Sequence, residues 1–298
     1  MNETEFLEKM ELTDAELAKA GVPIYARFLR AFDRLVPNYR GELWGYGVDP
    51  GKYPPFVGPN LMRQISDWFG KRYGERSYLP SLRGRIPIIL RREVYLIRIP
   101  AVFGRPRISV LPLIDGLTKA MAQSLTPPEL ELIRKSFENG FALTHEIEDL
   151  MTELGSCSTT LSQEVHNMLR NGIEDRDTSV RCLSGQLDTN GACFHAQQHA
   201  EKMLKSYLMA NAILTETQLC KRPYGHELRN IFHECTKNSN SFLALANDIA
   251  LLGNIRMDIR YTTPKVEPEV AVEAHWAALR TGALCACEIS GHKRRYKL

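Results

Sequence analysis

Residues 192–205 read Ala192-Cys193-Phe194-His195-Ala196-Gln197-Gln198-His199-Ala200-Glu201-Lys202-Met203-Leu204-Lys205, with Ser206 and Tyr207 beyond. Cys193, Ala196, Ala200, Met203, Leu204 and Tyr207 recur at the 3.6-residue period, which predicts a helix with one apolar face. Gln198, Lys202 and Lys205 stand four and three apart, so their side chains share a second, polar face of the same helix.

The stretches on either side repeat the period. Leu161, Val165, Met168, Leu169 and Ile173 form one face before it. Phe242, Leu245, Ala246, Ile249 and Leu252 form another after it, followed by Val270, Ala274, Ala277, Thr281 and Leu284. Connections fall at Gly185 to Asp188, Leu219 to Gly225 and Thr262 to Pro264. Four long helices and a shorter one near His226 predict an antiparallel bundle.

The first half reads differently. Thr13-Asp14-Ala15-Glu16 has the form of a capping box and is expected to open a helix, interrupted at Gly21-Val22-Pro23 and resumed over Ile24 to Val36. Leu61, Ile65, Trp68 and Phe69 mark a short helix that Gly70 weakens. Ile86, Ile88 and Leu90, then Val94 and Leu96, then Ile108 and Val110 alternate with other residues. They predict a small antiparallel sheet of two or three strands, with Pro87, Pro100 and Pro106 confined to edges, strand starts or bends. Thr126-Pro127-Pro128-Glu129 is a second capping box and starts a long helix. The linker-like run 155–160 sets the expected division. Residues 1–155 are an arginine-rich module of helices and a small sheet, and residues 156–298 are a helical bundle with a basic tail. The fold class is α+β.

A chain of 298 residues with 44% hydrophobic and 24% charged side chains has globular composition, which excludes wholesale disorder. No apolar run reaches the roughly 20 residues of a membrane span, and the acidic start lacks the parts of a signal peptide, so a cytoplasmic protein without membrane partners is expected. The seven cysteines all lie at or beyond Cys157 and are expected to be reduced and mostly buried. Neither a phosphate-binding glycine loop nor a dinucleotide fingerprint occurs.

Net charge is only +3, but residues 27–119 hold 17 Lys or Arg against 7 Asp or Glu, and Arg76 to Arg107 contains eight arginines and one acid, Glu93. Guanidinium groups match phosphate bidentately, so this segment has the chemistry of a nucleic-acid contact. The competing expectation is a solvated arginine-rich sheet face, or one paired to acids elsewhere. No aromatic stacking pattern accompanies the charge.

The Gln-Gln-x-x-Glu-Lys-x-x-Lys core at 197–205 resembles the second helix of HEPN domains. His226-Glu227-Leu228 resembles that family's His-x-Leu opening of a middle helix, and Arg260-Tyr261 its Arg-Tyr after the fourth helix. Order and spacing agree over roughly residues 164–289. The resemblance implies a small helical bundle linked to nucleotide or RNA binding and commonly dimeric, with some relatives paired to a separate nucleotidyltransferase chain. HEPN ribonucleases carry an Arg followed after four to six residues by a His. Here Arg222 to His226 and Arg229 to His233 have three intervening residues each, so RNA cleavage is not expected.

The residues expected to hold a nucleotide or RNA phosphate are Gln198, Lys202, Lys205, Arg256, Arg260 and Tyr261, with the two arginines one turn apart. The other outcome for the lysines is internal pairing to Asp175, Asp177 or Asp248, with Gln198 tying helices together. No catalytic residue is expected. Were the chain a ribonuclease, as in a toxin or phage-defence effector, His226 and His233 on one stripe, with Arg229, would be the candidates. His195 and His199 share a face but lack further ligands, so neither a metal nor a cofactor is expected.

Overall fold

A computed structural model describes residues 2–22, 24–35, 58–74, 82–101, 108–154, 161–185, 187–255, 259 and 265–291. The chain separates into two compact units, one of residues 1–82 and 100–108, the other of residues 83–99 and 109–298. Residues 83–99 and 109–155, expected with the first module, therefore fall in the unit that holds the bundle.

The first unit contains α1 (Glu3–Lys19), α2 (Ile24–Leu35) and α3 (Gly58–Tyr73) around Phe6, Met10, Leu17, Ala31, Phe32, Leu61, Ile65 and Phe69. The expected capping box at Thr13 does not start a helix. Asn2 and Glu5 form the box that opens α1, and Thr13 and Asp14 lie buried in its middle. The reason is tertiary. Asp14 accepts hydrogen bonds from Arg27 of α2, at 3.1 Å, and from the Tyr73 hydroxyl of α3, so one buried carboxylate joins three helices. Gly70 does not end α3, which runs on to Tyr73.

The second unit opens with the strands β1 (Leu82–Leu90), β2 (Glu93–Pro100) and β3 (Ile114–Asp115), in the order β1-β2-β3. The third strand is thus Ile114–Asp115 rather than residues 108–110, antiparallel to β2 with Leu96 opposite Asp115 and Ile97 opposite Ile114. Pro87 sits in the edge strand β1, where a missing donor is tolerated. Its carbonyl accepts a 3.0 Å hydrogen bond from the Trp276 indole.

Two short helices, α4 (Lys119–Gln123) and α8 (Glu216–Leu219), accompany the others. These are α5 (Pro127–Leu154), α6 (Gln163–Cys182), α7 (Thr189–Ala210), α9 (Leu228–Asn238), α10 (Ala246–Gly253) and α11 (Pro268–Ser290). The stripe at 242–252 is no single long helix: a six-residue 3-10 stretch, Asn240–Leu245, precedes the eight residues of α10. At the start of α5 the Glu129 carboxylate accepts from the amide and hydroxyl of Thr126, at 2.7 and 2.9 Å. A hydrogen bond from Arg91, reinforced by these two, pushes the Glu129 carboxyl down to about 2.

Helix α7 packs along α6 and α11, and α11 in turn packs on α5. Of the 22 residues of α7, 18 are buried. Gly282 of α11 lies directly against α7: a Cβ there would land on the His199 imidazole, 3.0 Å from its Cε1 and 3.0 Å from Ile147 Cδ1. Gly→Ala in a helix interior ordinarily adds about 0.5–1 kcal/mol. Here overpacking costs about 1–3 kcal/mol. Gly282→Ala is therefore expected to lower the urea midpoint, the reverse of the usual helix effect.

Candidate functional site on the central helix

At about 100° per residue, α7 presents three adjoining faces. One carries Asn190 and Gln197. The next carries Gln198, Lys202 and Lys205, the seam expected from the sequence, with His195 at its margin. The third, with His199 and Met203, turns to α6.

The seam is balanced by two carboxylates. Asp175 of α6 accepts from His195 Nδ1 at 2.8 Å and from the Lys202 ammonium. Burial works to raise the Asp175 carboxyl, but the hydrogen bonds from His195 and Lys202 prevail and hold it below the usual carboxylate range. One turn further along, Glu201 accepts from Lys205 Nζ at 2.7 Å, His226 Nδ1 at 3.2 Å and Gln198 Nε2 at 3.4 Å. Lys205 also donates to the Gly225 carbonyl at 2.6 Å, pinning the turn before α9.

Gln198, Lys202 and Lys205 are thus brought together, and each lysine has an acid of its own. Lys202 takes Asp175, whereas Asp177 pairs with Arg176 and Asp248 with Arg280. The two lysines differ in access. The Lys202 side chain is 27% exposed and that of Lys205 only 7%.

Arg256, Arg260 and Tyr261 lie outside the described residues, but the residues flanking them are anchored. Gln197 Nε2 donates to the Ile255 carbonyl at 3.3 Å. Asn190 donates to Ile259 O and accepts from Val266 N, both at 2.9 Å. The chain on either side of these three residues is therefore tied to the α7 face next to the seam. Sequence reading named Asp175 as one of three possible partners for the lysines, and missed Glu201, Asn190 and Gln197 in these roles. Glu201, one turn before Lys205, was the one with a legible signal.

The remaining candidates are dispersed. His226 precedes α9 rather than lying on its stripe, and its imidazole faces Glu201, so it shares no helix face with His233. His233 is exposed on α9, and Arg229 bonds Asn254 Oδ1 at 2.6 Å. His195 and His199 do not converge either. His195 reaches Asp175, whereas His199 is buried and donates its Nδ1 proton to the Gly172 carbonyl at 2.8 Å. Among the described residues no group of three His, Cys, Asp or Glu is placed to hold a metal.

Five of the cysteines are wholly or partly buried and one, Cys220, is exposed; all six described are free thiols, and Cys157 lies outside the described residues. Burial pushes the Cys193 thiol up to about 12. No described helix is long and apolar enough to cross a membrane.

Residues 165–278 match the family model of the HEPN domain. The second half of this chain carries a HEPN domain. No curated protein and no solved structure matches the chain. Within the HEPN segment fall α6 from Val165 on, α7, α8, α9, α10, the seam with both its carboxylates, and the first half of α11.

Behind the seam the HEPN bundle buries a second polar group. Arg176 is held by Glu148 and Asp177, both at 2.8 Å. His275 Nδ1 bonds the Ser179 hydroxyl at 3.2 Å, and that hydroxyl donates to Ala192 O. Burial, with Arg176 adding to it, pushes His199 down to about 4. Burial, then His199 and Arg176, pushes His275 down to about 3.

In the unfolded chain an imidazole protonates near pH 6.5, so between about pH 6.5 and 4 the unfolded state binds more protons and stability rises with pH. The depressed Asp175 carboxyl acts only at lower pH. Acidification from pH 7 to pH 5 is therefore expected to cost about 2 kcal/mol per buried imidazole, read as a fall in the urea midpoint. In the same assay Lys205→Met, which strips the buried Glu201 of its cation, should cost about 3–5 kcal/mol.

Proposed function

We propose that this HEPN-domain protein binds the phosphate of a nucleotide or RNA at the α7 seam and does not cleave it. The carrying observation is the contrast between the two lysines. Lys205 is enclosed and committed to Glu201 and Gly225, whereas Lys202 and His195 share Asp175 at the partly exposed margin. An arriving phosphate competes with Asp175 for the Lys202 ammonium, and Gln198 lies beside it to meet a hydroxyl or base edge. Arg256, Arg260 and Tyr261 belong to this reading because Gln197 and Asn190 tie the flanking chain to the adjacent face of α7.

Displacing a carboxylate makes binding modest and strongly dependent on salt. The absence of an Arg-x4-6-His spacing supports binding without cleavage. In this reading the chain is a cytoplasmic homodimer, and any nucleotidyltransferase partner is a separate chain. A monomeric mass by light scattering would remove the dimer.

Calorimetric titration of ATP, GTP and a short single-stranded RNA at low salt tests the binding. At least one should bind, and Lys202→Gln should weaken it by about 1.5–3 kcal/mol, the worth of a charged hydrogen bond. Incubated with total RNA, the protein should leave it intact. If none of the three ligands binds, the reading fails.

A further inference from the structure

The arginine-rich segment lies outside the seam, and the strands show what its described members do. The connection between β1 and β2 is the two-residue turn Arg91–Arg92, with φ of +52° and +70°. Hairpin turns with both central residues at positive φ are normally filled by Asn-Gly, because a side chain in that region costs roughly 1–2 kcal/mol. Arg91 has compensation: its guanidinium bonds both carboxylate oxygens of Glu129, at 2.8 and 3.2 Å, and the Ser124 carbonyl at 2.8 Å. Arg92 has none, being exposed and making no hydrogen bond or ion pair among the described residues.

Counting back from the turn sets Leu90 opposite Glu93, and hence Arg85 opposite Arg98. Like charges directly opposite each other destabilise a strand pair. A single carboxylate separates these two: Asp115 of β3 lies 3.3 Å from Arg85 Nε and 3.2 Å from Arg98 Nε. Two half-exposed guanidinium groups sharing one carboxylate leave one positive charge over. Arg83, two residues or about 6.7 Å along the same strand face, bonds only the Thr152 hydroxyl among the described residues. Glu93, near the turn, is the one acid within the hairpin.

We propose that this hairpin is a second anion-binding surface, on which Arg85, Arg98 and Arg92, assisted by Arg83, hold the phosphodiester backbone of a nucleic-acid strand. Guanidinium pairs are the side chains best matched to phosphate, and a row along a strand suits a polymer better than a single nucleotide. Among the described residues the face offers no aromatic platform, so binding is indifferent to sequence and falls steeply with salt. The strained, unpartnered Arg92 is explained by a contact that the folded chain itself does not make. The surface is independent of the α7 seam.

The test uses the full chain and fluorescence anisotropy with labelled oligouridylate and, separately, a labelled DNA duplex, between about 50 and 200 mM salt. Wild type should bind at least one of them, which identifies the strand type. Arg85→Gln/Arg98→Gln should weaken binding about tenfold or more and reduce the single-strand salt slope by about 1.4, two phosphate contacts' worth. Arg92→Gly should weaken binding while holding or raising the thermal midpoint, since glycine accepts positive φ. If the double variant does not fold, Arg92→Gly decides alone. Wild-type affinity in the folded variants, or no binding of either polymer by wild type, overturns the proposal. ATP titration separates the two sites: it reports on the seam and should be unchanged in the arginine variants.

Discussion

A helix enclosed on nearly every side can leave few polar side chains to water, and that constraint organises the second unit. Helix α7 carries Asn190, His195, Gln197, Gln198, His199, Glu201, Lys202 and Lys205 into a bundle whose core is largely apolar. Each therefore needs a partner from a neighbouring element or from its own helix. Asp175 and Gly172 of α6 answer on one side, Glu201 and the Gly225 carbonyl on another, and Ile255, Ile259 and Val266 on a third. The polar residues set where the helices lie as much as the leucines do. Removing one partner leaves a charge enclosed, which is costlier than never having buried the pair.

Much of the bundle was legible because its signals are local. The apolar periods of α6, α7 and α11 each span several turns, and the Gln-Gln-x-x-Glu-Lys-x-x-Lys marker lies on α7. The misread elements are those decided at a distance. Thr13-Asp14-Ala15-Glu16 has the letters of a cap, but Asp14 is spent as an acceptor for Arg27 and Tyr73. Strand β3 is two residues long, too short for any alternation to show. The stripe at 242–252 belongs to two successive short elements rather than one helix.

The seam was half legible. Its three polar residues follow from helical spacing alone. The pairing of Lys202 with Asp175 joins residues 27 positions apart on different helices, which only the packing of α6 on α7 determines. Asp177 and Asp248 were equally reasonable partners by sequence and are occupied by Arg176 and Arg280. In the hairpin, composition revealed the excess of arginine. That Arg85 and Arg98 share Asp115 while Arg92 stands alone follows from turn length and register.

The Trp276 indole on the Pro87 carbonyl has a consequence for the edge of the sheet. A border strand offers unpaired amides and carbonyls on which another chain can extend the ladder. In β1 the proline removes one donor and the indole occupies the acceptor of that same residue. An invading peptide thus finds neither half of a hydrogen-bonding pair at that point. Helix α11 and β1, 189 positions apart in the chain, together guard a three-stranded sheet against templated aggregation.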